Sequence, residues 1–154
     1  MGSSDSTVNY NYETDEYGRT VKASGYLVME NGERDLDAQR SVGGEYRRET
    51  DDGGHLIGSR FGGAGEEINL IAQDMHLNRS GYKRMENHWA KELEEGKEVY
   101  VEVEAIYQDG VSRPYSMLIK EEVRDGEKIV TDYWSFTNEN LETEEFEIED
   151  EDEE

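Results

Sequence analysis

The sequence predicts an α+β domain in which an antiparallel sheet carries a central helix. Three observations lead there. After Gly96 the chain alternates with period two: in EVYVEVEAIY, Val99, Val101 and Val103 alternate with glutamates and Tyr100, as a half-buried strand requires. Before Gly96, Tyr82, Met85, Trp89 and Leu93 recur every three or four residues and form one apolar helical stripe. Glycine-containing turns punctuate the remainder.

The helix lies within NRSGYKRMENHWAKELEEGK, with Asn78 or Ser80 as cap and Gly96 as stop. PYSMLIKEEV and KIVTDYWSF follow as two further strands, joined by the turn Arg124-Asp125-Gly126-Glu127. Towards the amino terminus, RTVKASGYLVM reads as a strand with a bulge or turn at Gly25. ENGERD is a turn, SVGGEYRRE a short extended stretch, and DDGGHLIG a turn running into a strand. Residues 61–77 read as a long glycine-rich functional loop.

At 154 residues the chain is expected to hold one domain, residues 18–138. It is preceded by a flexible leader, residues 1–17, and followed by an acidic disordered tail, residues 139–154. The low hydrophobic content of 33% is offset by ten tyrosines, two tryptophans and the periodic segments. The net charge of −23 divides unevenly. The tail holds eleven acids and no base, leaving 28 acids against 16 bases, or −12, on residues 1–138. Such a tail solubilises or regulates, or mimics nucleic acid in front of a basic groove. A domain this acidic does not hold a phosphate backbone by bulk charge, and a nucleic-acid enzyme of this charge would have to concentrate positive potential in a metal ion and a few arginines.

The absence of cysteine excludes disulfides and thiolate metal sites. No segment approaches the ~20 apolar residues of a membrane span, so no membrane insertion is expected, and no apolar export signal opens the chain.

Four polar residues stand out: His55, Asn69, Asn78 and Glu86. On one continuous helix the eight residues from Asn78 to Glu86 rise ~12 Å and turn by ~80°. Both could then border one cleft, but only one could touch a given ion. A hard, hydrated cation such as Mg²⁺ suits a site with so few protein ligands. A neutral imidazole, whose unperturbed pKa is ~6.5, suits a general base beside it.

DDGGHLIGSRFGGAGEEINL and LNRSGYKRMENHWA closely resemble the DNA/RNA non-specific endonuclease family. The likeness extends from about Tyr12 through YGRT and SGYL, across both motifs, to GVSRP and the final strands. It is closest to the C-terminal nuclease domains of LXG-type polymorphic toxins. The resemblance implies a ββα-metal (His-Me finger) fold with a histidine strand opposite a helix. It implies a metal-dependent endonuclease acting on DNA and/or RNA, with Mg²⁺ as cofactor and Mn²⁺ as an alternative.

By position, His55 matches the histidine of the family's DRGH motif, the general base that activates water. Asn78 matches the asparagine that ligates the metal. Glu86, eight residues on, matches the glutamate that organises metal-bound water, and Asn69 a supporting active-site asparagine. Gly53 departs from the motif, which has arginine there, so the phosphate-contacting charge is expected from Arg60 first and Arg79 second. The likeness further implies a toxin module, secreted or delivered into a target bacterial cell, with an immunity protein as partner. The rival readings are an inactive nuclease-fold binding protein or acidic DNA mimic, and a nuclease selective for RNA.

Overall fold

The computed structural model describes residues 10–139. Residues 1–9 of the expected leader, and all of the expected tail except Glu139, lie outside the described residues. The main sheet has five antiparallel strands in the order β1 (Asn11–Thr14), β2 (Thr20–Tyr26), β5 (Glu98–Ile106), β6 (Ser116–Asp125), β7 (Lys128–Thr137). Between β2 and β5 the chain forms α1 (Leu36–Ser41), the two-stranded ribbon of β3 (Asp51–His55) and β4 (Leu70–Asp74), and then α2 (Met75–Arg79) and α3 (Gly81–Glu94).

The three strands expected after Gly96 are present. Val99, Val101, Val103 and Ala105 of β5, with Met117 and Ile119 of β6, form the sheet's inner face. Against them α3 lays Tyr82, Met85, Trp89 and Ala90, all buried in one cluster. Gly96 ends the helix with φ 87°, a conformation that glycine adopts without steric cost. One inner-face position is charged. Glu121 is buried and accepts hydrogen bonds from the indole nitrogens of Trp89 (2.7 Å) and Trp134 (2.6 Å), with His88 Nε2 at 3.2 Å. Those donors satisfy a carboxylate that burial would otherwise penalise.

Several expectations are corrected. Residues 11–14 of the expected leader form strand β1, and Tyr10 and Tyr12 reach the glycine-rich segment: Tyr10 donates its hydroxyl to the Phe61 carbonyl (2.6 Å), and Tyr12 accepts from the Ala64 amide (3.0 Å). β2 continues through Gly25, paired with Val101. The glycine is required there because its φ is 152° and the Tyr10 ring packs where a Cβ would stand. SVGGEYRRE is not extended: α1 ends at Ser41 and a 3₁₀ turn spans Gly44–Tyr46.

Residues 61–77 are not one loop, since they contain β4 and the start of α2. Every residue of β4 is buried, so LIAQD shows no alternation to read. The expected single helix is broken at Ser80, whose φ of −130° and ψ of −84° are not helical. Asn78 therefore lies inside α2, whose cap is Asp74 (accepting from the Leu77 amide, 3.0 Å), and Ser80 makes no side-chain capping bond to α3.

Candidate active site

The β3–β4 ribbon positions the site. Its register sets Asp51 opposite Asp74, Asp52 opposite Gln73 and His55 opposite Leu70. Alternation places Asp51, Gly53 and His55 on one face and Asp52 with Gln73 on the other. His55 is fully buried at the end of β3, where the chain leaves the ribbon. There Tyr82 donates its hydroxyl to the Leu56 carbonyl (2.6 Å), bringing α3 to the residue next to the imidazole. Glu86, also fully buried, sits one turn further along α3 on the face of Tyr82.

Asn78 is held by a residue that the sequence reading did not single out. Its Nδ2 donates to Asp52 Oδ2 at 2.9 Å, and both side chains are buried. A carboxylate only accepts, so the amide must turn its nitrogen to Asp52 and its oxygen away. Asn78 Oδ1 is buried and has no hydrogen-bond partner. Gln73, directly across the ribbon from Asp52, is likewise buried with neither carboxamide atom bonded. An unsatisfied buried polar group costs about 1–3 kcal/mol, a cost that an ion or an ordered water at Asn78 Oδ1 would remove. A carboxamide oxygen is a fitting donor to a hard cation. Among the described residues, no group of three or more histidine or carboxylate side chains is placed to hold a metal. A site at Asn78 would therefore rest on few protein ligands.

Because the chain breaks at Ser80, Asn78 and Glu86 lie on two different helices, and the ~12 Å rise of a continuous helix does not separate them. Asn69 is buried and committed to the backbone. Its Oδ1 accepts from the Ile57 amide (3.1 Å), while Nδ2 donates to the carbonyls of Ile57 (2.8 Å) and Ala64 (2.9 Å). It staples the segment that follows His55.

Arg60 donates to Asn87 Oδ1 (2.7 Å) on the exposed side of α3, beside Glu86. Arg79 makes a two-pronged contact with Asp52, Nε to Oδ2 and Nη2 to Oδ1, both 2.9 Å. Arg113 is buried against Asp51 (2.7 and 2.8 Å) and donates to the Asn138 carbonyl.

The glycine at position 53 has a physical cause. A Cβ there would stand 2.1 Å from the Gln39 carbonyl oxygen and 2.6 Å from its Cα, because α1 packs on β3 at this point. Gln39 Nε2 also donates to the Gly53 carbonyl (3.1 Å). Arg47 anchors the same junction, donating to the carbonyls of Gln39 (2.7 Å) and Asp51 (3.2 Å). Asp52 was visible within DDGGH, but its partner was not. Gln73 gave no signal, because its strand had none.

Residues 2–125 match the DNA/RNA non-specific endonuclease family. The chain belongs to that family. It is 37% identical over 119 residues to the type VII secretion system protein EssD of Staphylococcus aureus strain USA300, a match covering 73% of this chain and 19% of that protein. The chain thus spans about a fifth of that relative's length. Among solved structures it resembles NucA from Streptococcus agalactiae, described with no metal bound (TM-score 0.60, 18% identity, 94% of this chain and 81% of that one). It also resembles the Sda1 nuclease with a bound zinc ion (TM-score 0.67, 17% identity, 86% and 76%). The fold is that of the ββα-metal nucleases, here with the β3–β4 ribbon and the α2–α3 pair as its ββα unit.

Proposed function

We propose that this domain is a Mg²⁺-dependent endonuclease that hydrolyses phosphodiester bonds of DNA and RNA without sugar selectivity, with Mn²⁺ as an alternative ion. The observation that carries the reading is the fixed Asn78 amide, whose buried, unpartnered oxygen is turned away from Asp52. When bound there, the ion supplies Lewis-acid stabilisation of charge on the phosphate and the departing oxygen. His55 takes a proton from water; the water oxygen bonds to phosphorus as the bond to the 3′-oxygen breaks. The 3′-oxygen leaves as a hydroxyl, protonated from solvent, and the product carries a 5′-phosphate. Glu86 would orient water bound to the ion, and Asn69 keeps the segment after His55 in register. Arg60 and Arg79 contact the substrate phosphate.

The likeness to EssD supports a place downstream of a secretion system. In this reading the domain is a toxin module delivered into competing bacteria, and an immunity protein protects the producer. No described helix is long and apolar enough to cross a membrane.

The test is digestion of plasmid DNA and of ribosomal RNA by the parent and Asn78→Ala chains over a Mg²⁺ series. Both substrates should be cut by the parent, and Asn78→Ala should need far more Mg²⁺ for any cleavage. An identical Mg²⁺ response in the two chains would remove Asn78 as the ligand. A parent chain inert at every concentration would instead favour a nuclease-fold binding protein.

A further inference from the structure

Asp52 occupies an unusual junction. One buried carboxylate accepts from the Asn78 amide and, through both its oxygens, from the Arg79 guanidinium. Asp52 itself is 2% exposed, whereas the Arg79 side chain is 27% exposed and so reaches solvent at the edge of the site. The two neighbours are consecutive residues of α2, one with a buried, unbonded carboxamide oxygen and the other with a partly exposed guanidinium.

We propose that Asp52 is a positioning residue that couples metal binding to nucleic-acid binding through Arg79. The proposal rests on the metal-nuclease reading above. While paired with Asp52, the guanidinium neutralises much of the negative charge that Asp52 would present, one amide away, to an ion on Asn78 Oδ1. A nucleic-acid phosphate competes with Asp52 for the same guanidinium, since both are two-pronged acceptors of equal shape preference. As Arg79 turns to the phosphate, the Asp52 charge is uncovered and the ion is held more tightly. By linkage, the ion then strengthens nucleic-acid binding by the same factor. The hydrogen bond to Asn78 is kept throughout, so the ligand oxygen does not lose its aim.

This arrangement predicts opposite signs for the two partners. Asp52→Asn removes the charge and leaves one acceptor oxygen where Asn78 and Arg79 now share two. Metal affinity should fall tenfold or more, the range expected for the loss of a group that orients a ligand. Arg79→Gln leaves the Asp52 charge uncovered and should bind the ion more tightly than the parent. A merely structural role for the trio would weaken the ion in both variants.

The experiment titrates Mn²⁺ into the full chain by electron paramagnetic resonance, with and without a short DNA duplex. The His55→Ala background is used so that the duplex survives, with circular dichroism as the folding control. Parent affinity for Mn²⁺ should rise several-fold with DNA, and the rise should be much smaller in Arg79→Gln. Equal coupling in the parent and Arg79→Gln, or weaker Mn²⁺ binding in both variants, overturns the junction while leaving the nuclease reading intact. Failure of the parent to bind Mn²⁺ overturns both.

Discussion

A single missing side chain says much about how this site is built. At Gly53, where the family motif carries arginine, the backbone of Gln39 fills the space a Cβ would need. Gly53→Arg should therefore not restore a phosphate contact. It should push α1 off the ribbon and lower stability by about 1–3 kcal/mol or more, the cost of overpacking against backbone. Thermal unfolding measures this, and an unchanged melting temperature would show that α1 yields freely. The candidate residues His55, Asn69, Asn78 and Glu86 were legible because they fall in two motifs at fixed spacing. What each side chain touches was not legible. Asn69 reads as an active-site amide, yet it spends every polar atom on the backbone of Ile57 and Ala64. Asn69→Ala should accordingly lower turnover by loosening the 57–64 segment, with a fall in melting temperature alongside. Lost activity at unchanged stability would assign it a direct role instead.

At the scale of elements, β5, β6 and the inner face of α3 were plain in the sequence, because each buries one side and leaves the other wet. The β3–β4 ribbon was not, because both its strands are buried on all sides and β4 therefore lacks a pattern. α1 has six residues and no apolar stripe, so nothing announced it either. The ribbon is secured to the sheet by ion-pair chemistry. Asp51 on β3 and Arg113 ahead of β6 form a fully buried pair. Asn138 adds bonds to the Asp74 amide (2.7 Å) and to the carbonyls of Ala72 (3.0 Å) and Pro114 (2.7 Å). Removing one partner strands the other charge in the interior, so Arg113→Ala should cost about 3–5 kcal/mol in urea unfolding. A loss below 1 kcal/mol would mean that water reaches Asp51. Burial beside Asp51 gives Arg113 a structural task.

At the scale of the whole molecule, acidity and the proposed function pull in opposite directions. With −12 on residues 1–138, the proposed function requires local cations rather than a broadly basic face to hold nucleic acid. If Arg60 and Arg79 are the phosphate contacts, log binding affinity should fall against log salt with a slope of only about −2. A slope several times steeper would reveal an extended basic track.

Tyr10 and Tyr107 add an alkaline limit. Burial raises the pKa of both hydroxyls above the ordinary tyrosine value. A folded-state pKa above the unfolded one gives stability that is complete below pH ~10 and is lost as pH rises towards the folded value. The melting temperature of the parent should drop above that pH, and Tyr10→Phe should reduce the drop.

All three scales meet in the claim that His55 activates water for a metal-assisted cut. The most direct measurement is plasmid nicking by the parent and His55→Ala chains, each with Mg²⁺ and with EDTA. Nicking is expected only from the parent with Mg²⁺, while circular dichroism shows both chains folded. Undiminished nicking by His55→Ala, or by the parent in EDTA, would contradict the account.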